Sequence, residues 1–377
     1  MKVIGAQWTA TQGWAYDATE SHFEPDWILY FGAPARLEQT GGPLCELRQR
    51  FPKAICCGCS TAGEILGDHV SDDSIVAALV KFSGTRVKGV AVQVTAPELS
   101  RAAAKTLAEQ LRASDLRHIL LLSEGLKVNG TDLVNGFREV LPEGVTVTGG
   151  LAGDGTRFGQ TYTGLGDQIR SGQVVAIGFY GSSLKVSYGT EGGWEAFGPR
   201  RLITKSKGNV LFELDGQPAL DLYKKYLGER ASGLPATGLL FPLQLLANAN
   251  AEQGLVRTIL AVDEQQHSLT FAGDMPQDQY ARLMKAGQDS LIRGAEYAAG
   301  AAAGVNTGGR LAVLVSCVGR RLVLGQRVEE ELEAVRKMLP DGVAIGFYSY
   351  GEICPPTGLR KCELHNQTMT ITTLGED

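Results

Sequence analysis

The chain has 377 residues, a formal net charge of −5, 44% hydrophobic residues and 20% charged residues. That content excludes a disordered chain, and the acidic balance argues against a surface built to neutralise phosphates. The length suits roughly two domains of about 150 residues each.

The first residues, Met1 to Trp8, lack the apolar core of a signal peptide. No run approaches the roughly 18–20 apolar residues that span a bilayer, so a soluble, cytoplasmic protein is expected. Three segments then repeat one order: apolar strand, polar loop, helix, short strand, glycine turn, second strand. The first starts at Trp27-Ile-Leu-Tyr-Phe31, with a helix near 43–51 and a strand at 54–57. It passes through Gly58-Cys-Ser-Thr-Ala-Gly-Glu64 into a strand at 74–82. The second starts at His118, has its helix near 131–141, and passes through Thr148-Gly-Gly-Leu-Ala-Gly-Asp154 into a strand at 174–180. The third starts at Leu311, has its helix near 328–339, and passes through Gly346-Phe-Tyr-Ser-Tyr-Gly-Glu352 into a strand at 369–373. Each helix ends at a proline, Pro52, Pro142 or Pro340, which cannot continue it. The first strand of each segment is a continuous apolar run, as a strand buried on both faces requires.

Between the second and third segments the pattern changes. Residues 209–216 predict a strand ending in an Asp-Gly turn, and 218–227 a helix with proline in its first turn. Residues 256–262 and 268–272 predict a hairpin, and 277–303 a long helix. The Gly/Pro-rich stretch 191–199 marks a boundary.

Seven cysteines, an odd number without a secretory signal, argue for reduced thiols. Cys56, Cys57 and Cys59 form a redox or metal candidate, although Cys56-x-x-Cys59 overlaps a strand end. Neither Cys59 nor Ser60 can be assigned a histidine and acid partner, and no nucleotide or metalloprotease motif is present. The chain is not expected to be an enzyme.

These motifs, together with Asn209-Val-Leu-Phe-Glu-Leu-Asp-Gly216, Ser316-Cys-Val-Gly-Arg320 and Leu364-His-Asn-Gln-Thr368, resemble the FIST domain in their combined order. The resemblance implies an α/β fold of two related FIST portions, 1–195 and 196–377, with layered mixed sheets and flanking helices. No F-box, kinase or methyl-accepting segment is recognisable, so the chain is similar to the bacterial haem-binding, nitric-oxide-sensing type. For that type the resemblance implies haem as cofactor and a sensor histidine kinase as partner.

The expected ligand residues are His365, Tyr348, Tyr350, Glu352 and Cys354. His365 reads either as the axial ligand of haem iron or as a histidine that orders its strand through backbone hydrogen bonds. Cys354 before Pro355 is an alternative iron ligand, and Cys354, Cys362 and His365 an incomplete zinc set. Tyr348, Tyr350 and Glu352 suit a propionate or a small polar ligand. An amino-acid or metabolite receptor without haem is the alternative function, and a thiol-dependent enzyme or a zinc or redox sensor a third. Glu64, Asp154 and Glu352 are expected to occupy equivalent places in the three turns. Of the other histidines, His69 is the second ligand candidate, ahead of His22, His118 and His267.

Overall fold

The computed structural model describes residues 1–17, 23–38, 41–252, 254–304, 310–356 and 361–377. Each repeated segment supplies a triplet of central strands. The apolar first strand pairs in parallel with the strand after its helix and antiparallel with the strand after the glycine turn. The triplets are Trp27–Gly32, Ile55–Ser60 and Ile75–Lys81, then Leu116–Ser123, Thr146–Leu151 and Gln173–Tyr180, then Leu311–Cys317, Val343–Ser349 and Met369–Glu376.

No triplet completes its own sheet. After each glycine turn the chain crosses to the edge of another sheet and adds a hairpin there. Glu64–Leu66 pairs with Val343–Ser349, Thr163–Leu165 with Ile55–Ser60, and Gly351–Cys354 with Thr146–Leu151. The first segment thus donates to the third, the second to the first and the third to the second. The opposite edges are also equivalent: Lys2–Thr9, Arg86–Gln93 and Leu184–Glu191 each run antiparallel to the last strand of a triplet. The result is a core with pseudo-threefold symmetry. Its three inner faces pack on one another, with Phe31, Val76, Leu122, Ile177, Val315 and Phe347 in one buried cluster. The helices Pro43–Arg50, Ser100–Leu111, Gly130–Val140, Gln288–Ala302 and Val328–Met338 cover the outer faces with their apolar stripes. Strands from either side of residue 195 share a sheet, because Leu184–Glu191 lies against Met369–Glu376.

Residues 195–285 form an accessory nine-stranded sheet with its own core, in which Leu211, Leu220, Tyr223, Leu269 and Phe271 pack together. The Asp-Gly turn is present, with Asp215 and Gly216 both at positive φ between the paired residues Leu214 and Gln217. The expected hairpin forms between Ile259–Asp263 and Ser268–Phe271. The expected helix over 277–303 is only partly right. Tyr280–Lys285 is a strand antiparallel to Leu243–Leu246, and the helix starts at Gln288. Gly287 is extended there, and the Ser290 hydroxyl accepts its N–H at 3.1 Å, a capping contact that fixes the start.

The cyclic exchange predicts that neither half of the chain folds alone. A fragment of residues 1–195 keeps the donated Glu64–Leu66 strand but loses its partner, and exposes the edge of Thr146–Leu151. Expressed separately, 1–195 and 196–377 are expected to lack cooperative urea unfolding, and to regain it when co-expressed. A sharp, independent transition in 1–195 would contradict this architecture.

Candidate functional site

The three glycine turns meet at the pseudo-threefold axis in a ring of backbone hydrogen bonds. Ala62 N–H donates to the Tyr348 carbonyl at 2.8 Å, Gly153 N–H to Ser60 at 3.0 Å, and Tyr350 N–H to Leu151 at 3.1 Å. The acceptors are equivalent: Ser60, Leu151 and Tyr348 lie opposite Gly32, Ser123 and Ser316 in the parallel pairs.

This register corrects one expectation. Counted from those acceptors, Asp154 aligns with Gly63 and Gly351, not with the glutamates. The strand position held by Glu64 opposite Phe347 and by Glu352 opposite Gly150 is held in the second segment by Thr163, opposite Cys59. Residues 155–162 are an insertion between turn and strand, and the acid recurs twice, not three times.

Glu64 and Glu352 sit in matching polar cages. Thr61 donates to one oxygen of Glu64, and Ser74 donates to the other through its N–H (3.2 Å) and hydroxyl (2.9 Å). Ser349 donates to Glu352 at 2.6 Å, and Thr368 donates to its other oxygen through N–H (3.1 Å) and hydroxyl (3.0 Å). Burial pushes Glu64 up to about 7 and Glu352 up to about 8, against the counter-pull of these donors. Asp154 lies in a different environment. Burial raises it, but Tyr350 and the N–H groups of Gln160, Gly159 and Phe158 together hold it below the ordinary value.

The five expected ligand residues do not converge. The Tyr348 hydroxyl donates at 3.2 Å to Glu331, a buried carboxylate that also accepts from Ser316 and from Arg320 at 2.6 Å. Arg320 in turn donates to the carbonyls of Leu291 and Gly192. Ser316 and Arg320 thus belong to a closed structural network. Glu352 is sealed in its cage. The Cys354 thiol is fully buried, and burial, then nearby Cys362, hold it well above its ordinary value.

His365 borders a cavity of about 510 Å³ whose walls include Glu191, Glu363, Gln244 and Trp194. Its Nε2 lies 3.0 Å from the Cys354 carbonyl, which can only accept, so Nε2 carries the proton and Nδ1 the lone pair. Burial lowers His365 to about 4, so the ring is neutral. Tyr350 faces a different cavity. Haem needs a free axial donor above an apolar shelf. Here His365 keeps the Nδ1 lone pair, but the cavity walls carry two carboxylates and Cys354 is enclosed as a thiol, so the set does not fit haem. No group of three potential metal ligands occurs among the described residues.

The first cysteine cluster is packing. Trp27 donates its indole N–H to Cys57 Sγ at 3.1 Å, and burial pushes Cys56 up to about 12 and raises Cys57 and Cys59 as well. His118 is buried between Thr146 and Thr148 and lowered by burial to about 3. His69 is exposed beside Asp68 and Glu329, and His267 bonds Asp221. His22 lies outside the described residues.

The Tyr350 cavity measures about 360 Å³ and lies between the second segment and the accessory sheet. Tyr350 stacks on Phe158 of the insertion, with ring centroids 4.6 Å apart and planes within 16°. Its hydroxyl donates to Asp154 and accepts the Asp154 N–H at 3.2 Å. The facing wall comes from Asn209 and Phe271–Gly273 of the accessory sheet. A third side is the start of the helix Gly130–Val140, where Asn129 accepts the Asp132 N–H at 3.0 Å and reaches Asp274 at 3.3 Å. Nearby, buried Arg257 of the accessory sheet donates to the Leu364 carbonyl at 2.9 Å. The side-chain amide of Asn366, 1% exposed, has no hydrogen-bond partner at either atom among the described residues. Sequence reading missed Phe158, Asn129 and Asp132. The pattern Asn129-Gly-Thr-Asp132 carried a capping signal for the helix, whereas nothing near Phe158 distinguished it from a loop residue.

Family models match the FIST N domain over residues 26–217 and the FIST C domain over residues 219–355. No curated protein matches. Among solved structures, a cyanuric acid hydrolase from A. caulinodans aligns at 9% identity over 78% of this chain and 99% of that one, with a TM-score of 0.19. That likeness carries no argument.

The caged glutamates predict a pH dependence. Each holds its proton in the folded chain above the ordinary value of 4.5. Their contribution to stability is therefore complete below that pH and is lost as pH rises through about 7 and about 8. Glu352→Gln mimics the protonated form. It is expected to leave the melting temperature at pH 5 nearly unchanged and to stabilise the chain at pH 8.5 by on the order of a few kcal/mol. Parallel pH profiles for the variant and the natural chain would contradict the caged, protonated carboxyl.

Proposed function

Because the chain belongs to the FIST family, whose domains are sensory ligand-binding modules of signal transduction, we propose that it is a receptor without enzymatic activity and that its ligand occupies the Tyr350 cavity. One observation carries this reading. Of three equivalent turn positions, Ala62, Gly153 and Tyr350, the third alone brings a large side chain, and that ring forms a cavity wall. The cavity is bounded by both the core and the accessory sheet, so a ligand there touches both. A ligand that binds one arrangement of the two better than another shifts their balance, which is the physical basis of a sensory output.

The ligand class is a small polar metabolite. Haem and nitric oxide are what the resemblance implies, but the two carboxylates in the wall of the His365 cavity argue against them. A sensor histidine kinase as output partner rests on the family resemblance alone. The non-enzymatic reading is supported by the buried thiols of Cys56, Cys57, Cys59, Cys317 and Cys354, all held above their ordinary value by burial. No helix among the described residues is long and apolar enough to cross a membrane.

A thermal-shift screen of small polar metabolites tests the reading. A true ligand at about 100 times its dissociation constant contributes about 2.7 kcal/mol, a rise of several degrees. Phe158→Ala is expected to abolish the shift while changing the melting temperature of the free protein by little, since Phe158 is 36% exposed. A ligand whose effect survives Phe158→Ala, or no ligand at all, would count against this cavity. In a parallel haem titration, no Soret band dependent on His365 is expected, and a band lost in His365→Ala would restore the haem reading.

A further inference from the structure

We infer that the ligand of the Tyr350 cavity is an organic cation, a primary amine carrying no carboxylate; this deepens the receptor reading and rests on it. The charged side chains lining the cavity are Glu98 and Asp132, both anionic, and no lysine, arginine or histidine lines it among the described residues. A third carboxylate, Asp274, lies behind Asp132 at the Asn129 amide. Asp132 is raised by burial first and by Asp274 second, with Arg101 pulling the other way.

The cations nearest the cavity are already committed. Arg257 donates to the Leu364 carbonyl at 2.9 Å and to the Asp274 and Val256 carbonyls at 3.4 Å. Arg101 pairs with Glu139, and Arg157 donates to the Asp154 carbonyl at 2.9 Å. A ligand carboxylate would therefore meet no cationic side chain in the lining and would lie next to two like charges, so an amino-acid zwitterion is disfavoured.

The aromatic wall fits the same ligand. Phe158 and Tyr350 both line the cavity; their stack covers one face of each ring, and the aromatic surface left to the cavity can attract an ammonium group or cover an apolar stem. The Tyr350 hydroxyl is tied to Asp154 and the Gly155 carbonyl, which leaves the ring face as its contribution. The buried amide of Asn366 lies behind this wall: a methyl built on Gly351 would sit 3.5 Å from both its nitrogen and the Leu151 side chain, and Leu151 lines the cavity. A volume of about 360 Å³ is at the small end of ligand sites, enough for an arylalkylamine or a short diamine.

The experiment is calorimetric titration of the full chain with four probes: phenethylamine, 2-phenylethanol, phenylalanine and putrescine. Phenethylamine is expected to bind at least about tenfold more tightly than the neutral alcohol or the zwitterion, the ratio that one charge-assisted contact supplies. Asp132→Asn is expected to remove that advantage, and Asp132→Glu to restore part of it. Alcohol and amine binding equally, phenylalanine binding more tightly than phenethylamine, or unchanged amine affinity in Asp132→Asn would each overturn the inference. A neutral or acidic metabolite that binds and is lost in Phe158→Ala would overturn the cation while leaving the receptor reading intact. Binding by none of the probes, together with no hit in the metabolite screen, would overturn both. Putrescine binding while phenethylamine does not would support the cation and exclude the aromatic stem.

Discussion

The ring of hydrogen bonds among the three glycine turns is the constraint on which the rest depends. Each turn must deliver its chain from one sheet to the edge of the next, and the turns must do so at one axis without collision. Gly63 shows the cost of that crowding. It adopts a φ of +134°, and a side chain there would lie 2.5 Å from the Arg321 guanidinium and 3.2 Å from the Tyr348 ring. Because each turn's N–H is used by a carbonyl of another segment, no segment can satisfy its own axis. The exchange of hairpins follows from the same geometry: a strand that exits through the ring lies beside a neighbour's edge, and pairing there covers both unpaired backbones.

The polar side chains of the axis are then explained by enclosure. A carboxyl at the first residue after the turn is cut off from water, so it survives only with donors, which Thr61 and Ser74 supply on one side and Ser349 and Thr368 on the other. The second segment solves the same position differently. Thr163 needs fewer partners and finds one in the Gln173 carbonyl at 2.9 Å. The carboxylate of that segment, Asp154, instead closes an inserted loop by accepting three consecutive N–H groups at 2.9 Å each. Symmetry is broken where the insertion occurs, and the insertion carries Phe158.

Much of this was legible in the sequence and some was not. The three repeats, their strand order and their proline stops could be read because a strand buried on both faces must be continuously apolar and proline must end a helix. The exchange between sheets could not, since hairpins such as Glu64–Leu66 and Gly351–Cys354 show only that a strand follows a glycine, not which edge it joins. The N-terminal hairpin Lys2–Thr9 with Gly13–Tyr16 was passed over for a similar reason: its half-buried strands alternate weakly. The site was read least well. Motif residues Tyr348 and Glu352 looked functional because they are polar at a glycine turn; in the structure Tyr348 donates to Glu331, and Glu352 accepts from Ser349 and Thr368. His365 illustrates the ambiguity of a lone imidazole, whose Nε2 serves a backbone carbonyl. Tyr350 was among the candidates, but its neighbours Phe158, Asn129 and Asp132 come from a different segment, and spacing along the chain holds no record of that proximity.

Placing the ligand where the threefold pattern fails has a mechanical consequence. The symmetric part of the axis is closed by backbone hydrogen bonds and buried ion pairs, so it resists small displacements. The accessory sheet has its own core and meets the third segment through directional contacts that include Arg257 to the Leu364 carbonyl and Gln367 to the Leu239 carbonyl, both at 2.9 Å. A ligand at the proposed Tyr350 site would act on the junction with the accessory sheet. Contacts with Phe158 and Tyr350 on one side and with Phe271–Gly273 on the other would give it leverage over the seat of that sheet. A receptor needs that separation, because a scaffold that deformed with its ligand would spend binding energy on its own core instead of on a partner.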